Sequence, residues 1–188
     1  MFRLLTIIIS CLFITSCSNF HGKFVEYNRL LPDTNYLPCC WQIREKVEII
    51  SSSKQVSLSA VTVISKNKLV VVIFDPLGRK LLNISQTGRQ VKVEKEKEIT
   101  LELPMESLLL GIFLVDMPDS GWSFKGSNWR VERSGNKKIL RQANRAIISL
   151  TEVNLPIGKL TEDRMISNLY YHDLDLEVKI TRLEKQRL

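Results

Sequence analysis

From Trp41 onward the chain is written with period two. Trp41, Ile43, Val47 and Ile49 alternate with Gln42, Arg44, Lys46 and Glu48, which predicts a strand with one dry face. Ser51-Ser52-Ser53-Lys54 reads as a turn. Val56, Leu58 and Ala60 alternate again, and Val61 to Ile64 is apolar on both sides. After a turn at Asn67-Lys68, Leu69 to Phe74 is continuous and β-branched, so it predicts a central strand covered on both faces. Asp75-Pro76-Leu77-Gly78 follows, with Asp at i, Pro at i+1 and Gly at i+3 of a turn. Leu81 to Ser85 and Gln90 to Glu94 predict the next two strands, around Thr87-Gly88.

The period then changes. Past Ile99, Leu101 and Leu103, Pro104 fits the first position of a helix. Met105, Leu108, Leu109, Ile112 and Phe113 recur at helical spacing, and Leu110, Leu114 and Val115 make the other faces apolar as well. Such a helix must be covered all round or line an apolar cavity. Met117-Pro118 ends it. Beyond it, strands are predicted at Trp129–Glu132, Lys137–Arg141, Ala146–Val153 and Met165–Tyr171, with Leu155 to Arg164 as a polar loop. The last strand, Leu174 to Ile180, alternates cleanly with Asp175, Glu177 and Lys179. Nine to eleven short strands at hairpin spacing, interrupted by one helix, predict a mainly β fold. The expected form is one antiparallel sheet, curled into a partial or full barrel.

The first residues obey neither period. Arg3 precedes an apolar run, Leu4 to Ile14, that is too short to span a bilayer, which needs about 20 residues. Ile14-Thr15-Ser16-Cys17 closes the run and resembles a bacterial lipobox. The resemblance implies a signal peptide over 1–16, cleavage before Cys17 and acylation of Cys17. Ser18 lacks the Asp that resembles an inner-membrane retention signal. The periplasmic face of the outer membrane is therefore the expected address. Residues 17–40, with Gly22, Pro32, Asp33, Asn35 and Pro38, read as a lipidated tether, and 41–188 as the domain. Tyr27, Leu30 and Leu31 could pack as one helical turn within the tether.

Charge and cysteine usage narrow the chemistry. The formal net charge of +7 becomes +6 once Arg3 leaves with the signal. The charges are spread and alternate in sign, as in Lys95-Glu96-Lys97-Glu98, which marks a solvated surface and not a nucleic-acid footprint. Cys39 and Cys40 adjoin; in an oxidising periplasm a vicinal disulfide, buried thiols and bridges to a partner all stand open. No metal site is expected, because there is no C-x-x-C and His21 and His172 are the only histidines. No G-x-S-x-G, H-E-x-x-H or Gly-rich phosphate loop is present, and His172 beside Tyr170 and Tyr171 reads as a surface residue. The chain is accordingly read as a non-enzyme without cofactor beyond the lipid on Cys17.

A lipobox, a tether, a strand meander and an apolar strand running into Asp75-Pro76-Leu77-Gly78 resemble LolB, the outer-membrane lipoprotein receptor. From Trp41 onward, Phe74 to Arg79, Gly121-Trp122 and the closing Leu174 to Ile180 strand are most similar to the DUF3261 family of lipoproteins. The resemblance implies a half-barrel of antiparallel strands closed by helices over an acyl-chain cavity. Its expected lining is Leu108, Leu109, Ile112, Phe113 and Trp41. It also implies that the apolar residue at the hairpin tip, Leu77, helps pass lipoproteins into the membrane. The residues themselves leave two readings: Leu77 folds back over the tether or a neighbouring loop, or it dips into the bilayer with Arg79 and Lys80 facing lipid phosphates. Members of the family commonly accompany enzymes of aryl polyene lipid synthesis.

Two functions follow as expectations. In the first, a monomeric outer-membrane lipoprotein binds the acyl chains of lipoproteins or polyene lipids and helps transfer them, alongside a periplasmic LolA-like carrier. In the second, the domain is a scaffold that recruits periplasmic partners and transports nothing.

Overall fold

The computed structural model describes residues 23–24, 31–96, 103–155 and 164–188. The signal segment, Cys17 and most of the tether lie outside them, as do Ile99, Leu101 and most of the polar loop. The strands are β1 (Lys23–Phe24), β2 (Trp41–Ile50), β3 (Gln55–Ser65), β4 (Lys68–Phe74), β5 (Lys80–Thr87), β6 (Gln90–Lys95), β7 (Trp129–Ser134), β8 (Lys137–Gln142), β9 (Arg145–Leu155), β10 (Arg164–Tyr171) and β11 (Leu176–Arg187). Among the described residues one α-helix, α1 (Met105–Asp116), lies between β6 and β7 in sequence, followed by a short 3₁₀ turn at Asp119–Trp122.

All eleven strands form a single open sheet in the order β1-β6-β5-β4-β3-β2-β11-β10-β9-β8-β7. It is two antiparallel meanders, β2 to β6 and β7 to β11, joined where β11 pairs with β2. The last strand therefore closes onto the first long one, from Glu177↔Ile50 to Arg187↔Trp41, with a register shift between Arg182 and Glu184. This topology dictates where α1 goes. The chain must travel from β6, next to the β1 edge, to β7 at the opposite edge, and α1 lies in that crossing.

Alternation supplies the face α1 covers. Ile43, Val47 and Ile49 on β2, Leu58 and Ile64 on β3, and Leu69, Val71 and Ile73 on β4 are all buried. Val70, Val72 and Phe74 are only half-buried, so β4 is not covered on both faces as its composition predicts. Val72 and Val70 stand opposite equally half-buried Val61 and Val63 on β3. These cross-strand pairs shield one another without a second layer.

Pro104 occupies the N-cap of α1 with extended backbone, one position before the helix it was expected to begin. Every residue from Leu108 to Leu114 is buried. The helix comes close to β10 at Gly111, where an added Cβ would collide with the Tyr171 hydroxyl. At the other end, Lys138 on β8 is buried and donates from Nζ to the Leu114 carbonyl at 3.4 Å. A cation at the C-terminus of a helix is favoured by the exposed carbonyls there.

The expected tether joins the fold from Leu31. Leu31, Thr34 and Leu37 are buried, and Thr34–Tyr36 forms a short 3₁₀ turn; the turn expected of Tyr27, Leu30 and Leu31 falls mostly outside the described residues. Thr34 Oγ1 donates to the Asn67 carbonyl at 2.8 Å and accepts from the Gly88 amide at 3.0 Å. Gln86 Nε2 donates to the Pro32 carbonyl at 2.8 Å. Two hairpin turns thus hold this segment in place. Cys39 and Cys40 are joined as a vicinal disulfide just before β2.

Candidate functional site

An apolar pocket lies between α1 and the sheet. It spans about 570 Å³, counting space that opens to solvent. Leu108 and Ile112 form the α1 wall, with Leu103 just before the helix. Opposite them stand Val47 and Ile49 of β2, Leu58, Ala60 and Thr62 of β3, and Val71 and Ile73 of β4. Leu169 and Tyr171 of β10 and Val178 and Ile180 of β11 complete it. Every one of these side chains belongs to the buried set, so the wall is closely drawn in. Burial also pushes the Tyr171 phenol well above its ordinary range.

One charged residue lines this pocket, Glu45. It sits in phase with Val47 and Ile49 on the inward face of β2 and is 7% exposed. Arg182 stands directly opposite it on β11, two residues beyond Ile180. Asp116 is the last residue of α1, four beyond Ile112, which is itself four beyond Leu108. Residues four apart share a helix face. Three pocket-facing stripes, one each from β2, β11 and α1, thus end in charged groups at one place. Arg182 Nη2 lies 2.9 Å from Asp116 Oδ1 and 3.5 Å from Glu45 Oε1. The Arg182 Nε is buried and without a partner.

Burial and the neighbouring Asp116 raise the Glu45 carboxyl to about 7, against the smaller opposing pull of Arg182 and Lys185. A carboxyl so placed is partly protonated near neutrality. Among the described residues, no cluster of His, Cys, Asp or Glu has the arrangement to hold a metal ion. No helix among them is long and apolar enough to cross a membrane.

The hairpin after β4 is the second feature. Asp75 accepts at its carbonyl from the Gly78 amide at 2.9 Å, and Gly78 has φ +79°. Glycine enters that left-handed region without steric cost. Asp75 Oδ1 accepts from the amides of Leu77 and Arg79, each at 2.9 Å, and Oδ2 accepts from Arg79 Nε at 2.6 Å. Desolvation raises the Asp75 carboxyl, but the Arg79 amide and side chain and the Leu77 amide outweigh it and hold it below its ordinary value. The Leu77 side chain takes no part and is 79% exposed. The Arg79 head is tied back to Asp75 while its side chain stays largely in solvent, and Lys80 opens β5 as an exposed residue. The strand that brings Val71 and Ile73 into the pocket wall therefore runs straight into this hairpin.

Of the residues the sequence singled out for a cavity, Leu108 and Ile112 face the pocket. Leu109 and Phe113 are fully buried and lie outside its lining. Trp41 is half-buried, also outside the lining, with Lys185 Nζ 4.6 Å from its ring centre. Sequence reasoning missed Glu45, Asp116 and Arg182. It also missed a contact between Ser149 Oγ and His172 Nε2 at 2.8 Å, where His172 packs edge-on against Tyr170 with ring centroids 5.0 Å apart. That pair stands outside the pocket lining.

Residues 42–184 match the family described as "Protein of unknown function (DUF3261)". The chain belongs to DUF3261. The match begins on β2 and ends on β11, so the DUF3261 region takes in the pocket, its charged end and the Leu77 hairpin. No curated protein matches the chain.

Proposed function

We propose that this chain is an outer-membrane lipoprotein, anchored through acylated Cys17. In this reading its LolB-like half-barrel, with α1 as the closing helix, takes up acyl chains and helps pass them into the bilayer. The observation that carries the reading is the apolar pocket under α1, with Leu108 and Ile112 facing the sheet. An acyl chain gains about 0.8 kcal/mol for each methylene it buries, and a gap lined by aliphatic side chains supplies that burial. The tightness of the wall implies that α1 moves outward to admit a chain. The exposed Leu77 supports the second half of the reading, since it places an apolar side chain where the domain could touch a membrane. The ligand is the acyl portion of a lipoprotein or of a polyene-type lipid, delivered by a LolA-like carrier, and no covalent chemistry is required of the domain.

The test uses the acylated full-length protein. Lipid extracted from protein purified out of membranes is identified by mass spectrometry. Uptake of a fluorescent acyl phospholipid is then followed with the protein held in lipid nanodiscs. Co-purifying lipid and saturable uptake are expected. Absence of both overturns the reading.

A further inference from the structure

The charged end of the pocket has a consequence for what the pocket accepts. A free fatty acid and an esterified or amide-linked acyl chain bury the same hydrocarbon. They differ in the head, which is an anion in one and uncharged in the other. Within this wall the nearby guanidinium is already shared. Arg182 Nη2 serves Asp116 at 2.9 Å and Glu45 at 3.5 Å, so two carboxylates face one cation. The surroundings of Glu45 include Asp116 from α1 and Arg182 and Lys185 from β11. The strand on its other side, β3, presents Ala60 directly opposite, which offers neither charge nor hydrogen bond. A third carboxylate entering here would lose its hydration and find the buried guanidinium already shared between two carboxyl groups, while the other nearby cation, Lys185, lies exposed. An uncharged ester or amide carries no such penalty, because it brings no charge into the apolar wall.

We infer that Glu45, together with the Asp116–Arg182 pair, makes the pocket selective for uncharged, ester- or amide-linked acyl chains over free fatty-acid anions. The inference rests on the acyl-chain reading of the pocket and names the class of lipid that reading leaves open. Glu45 and Asp116 exclude the anion. Arg182 holds them in place.

The experiment uses the full-length protein in nanodiscs at about pH 9, above the ordinary range of carboxylic acids. Two probes are compared, a diazirine-bearing fatty acid and its methyl ester. After illumination, labelled peptides are mapped by mass spectrometry, and the ester-to-acid ratio on the peptide containing Leu108 and Ile112 is read. The wild-type ratio is expected to be roughly tenfold, which corresponds to about 1.4 kcal/mol of discrimination. Glu45→Gln removes one carboxylate without changing its shape and should bring the ratio toward one. Asp116→Asn should lower it in the same direction, so the inference does not hang on one variant folding well. Partition into the bilayer is the same for wild type and variants, so it cancels in the comparison. Equal labelling by both probes in the wild type overturns the inference and leaves the acyl-chain reading standing. A tenfold ratio unchanged in both variants also overturns it, because the selectivity then arises elsewhere. If neither probe labels the α1 peptide, the acyl-chain reading falls and this inference with it.

Discussion

Arg182 stands directly across the β2–β11 ladder from Glu45, and the same guanidinium nitrogen that lies 3.5 Å from Glu45 Oε1 lies 2.9 Å from Asp116 Oδ1. One side chain on the closing strand therefore ties the first long strand to the end of the helix. The topology makes this point of attachment important. Nothing in the strand ladder holds α1, so its position depends on packing and on a few polar contacts such as this one and Lys138.

The pH dependence of stability follows from Glu45. Its folded value, about 7, lies above the ordinary 4.5, so the folded state binds the proton more tightly than the unfolded chain. The stabilisation this provides is fully present below about 4.5 and is lost as pH rises through about 7. Glu45→Gln keeps the uncharged shape at every pH. The variant should match wild type in acid and become more stable than it above neutrality, by up to on the order of 3 kcal/mol. Urea unfolding of both proteins across this pH range measures the difference. A gap that does not grow with pH would contradict the burial of an ionisable Glu45.

Arg182 should behave in the opposite way. Arg182→Leu leaves Glu45 and Asp116 facing each other in a buried setting with no cation between them. Removing one partner of a buried ion pair typically costs about 3–5 kcal/mol. The loss should be greatest at alkaline pH, where Glu45 is ionised, and should shrink in acid. Adding Glu45→Gln to Arg182→Leu should recover part of it.

Gly111 gives a test of how closely α1 meets the sheet. An exposed glycine in a helix is destabilising by about 1 kcal/mol relative to alanine, so Gly111→Ala would ordinarily help. Here the new methyl would run into the Tyr171 hydroxyl, and Leu169 borders the same space. Both neighbours line the pocket. Gly111→Ala should therefore lower the melting temperature, and Tyr171→Phe in the same protein should restore part of the loss. A stabilised Gly111→Ala protein would mean that the helix rides higher over β10 than described.

Much of this fold was legible because strands with one dry face alternate visibly. Ile43, Val47, Leu58 and Ile180 all face inward where their spacing put them. The Asp75 to Gly78 turn was legible for a related reason, since its residues are chosen by backbone geometry. The pocket was less so. A helix apolar on every side has no phase, so nothing distinguished Leu108 and Ile112, which face the gap, from Leu109 and Phe113, which pack away from it. Glu45 left a signal that went unused: it occupies the inward phase between Ile43 and Val47, where a charge breaks the alternation. Asp116 and Arg182 left none, because only the β2–β11 pairing and the α1 crossing bring them together. β1 was illegible because a two-residue strand has no period to read.

Leu77 separates the hairpin's structure from its proposed role. The turn is held by Asp75, whose carboxylate and carbonyl accept from the amides of Leu77, Gly78 and Arg79 and from the Arg79 side chain. None of these bonds uses the Leu77 side chain. At 79% exposure it is not folded back onto the described residues, so removing it uncovers little of them. Exposed substitutions that touch no such feature usually change stability by less than about 0.5 kcal/mol. Leu77→Glu should thus unfold at the wild-type temperature. Asp75→Ala, which removes the carboxylate acceptors and leaves the carbonyl, should not. On the proposed reading Leu77 enters the bilayer, where its burial adds about 1.5–3 kcal/mol, enough to orient a domain that Cys17 already anchors. Placing a carboxylate at the tip abolishes that gain and sets a negative charge beside anionic lipid. Transfer of a fluorescent acyl ligand from the protein to liposomes should then drop at least tenfold, the ratio expected for a loss of about 1.4 kcal/mol. Uptake into the pocket should stay as in wild type, because Leu77 is not part of its wall. Wild-type transfer by a folded Leu77→Glu protein would show that membrane contact is made by another surface.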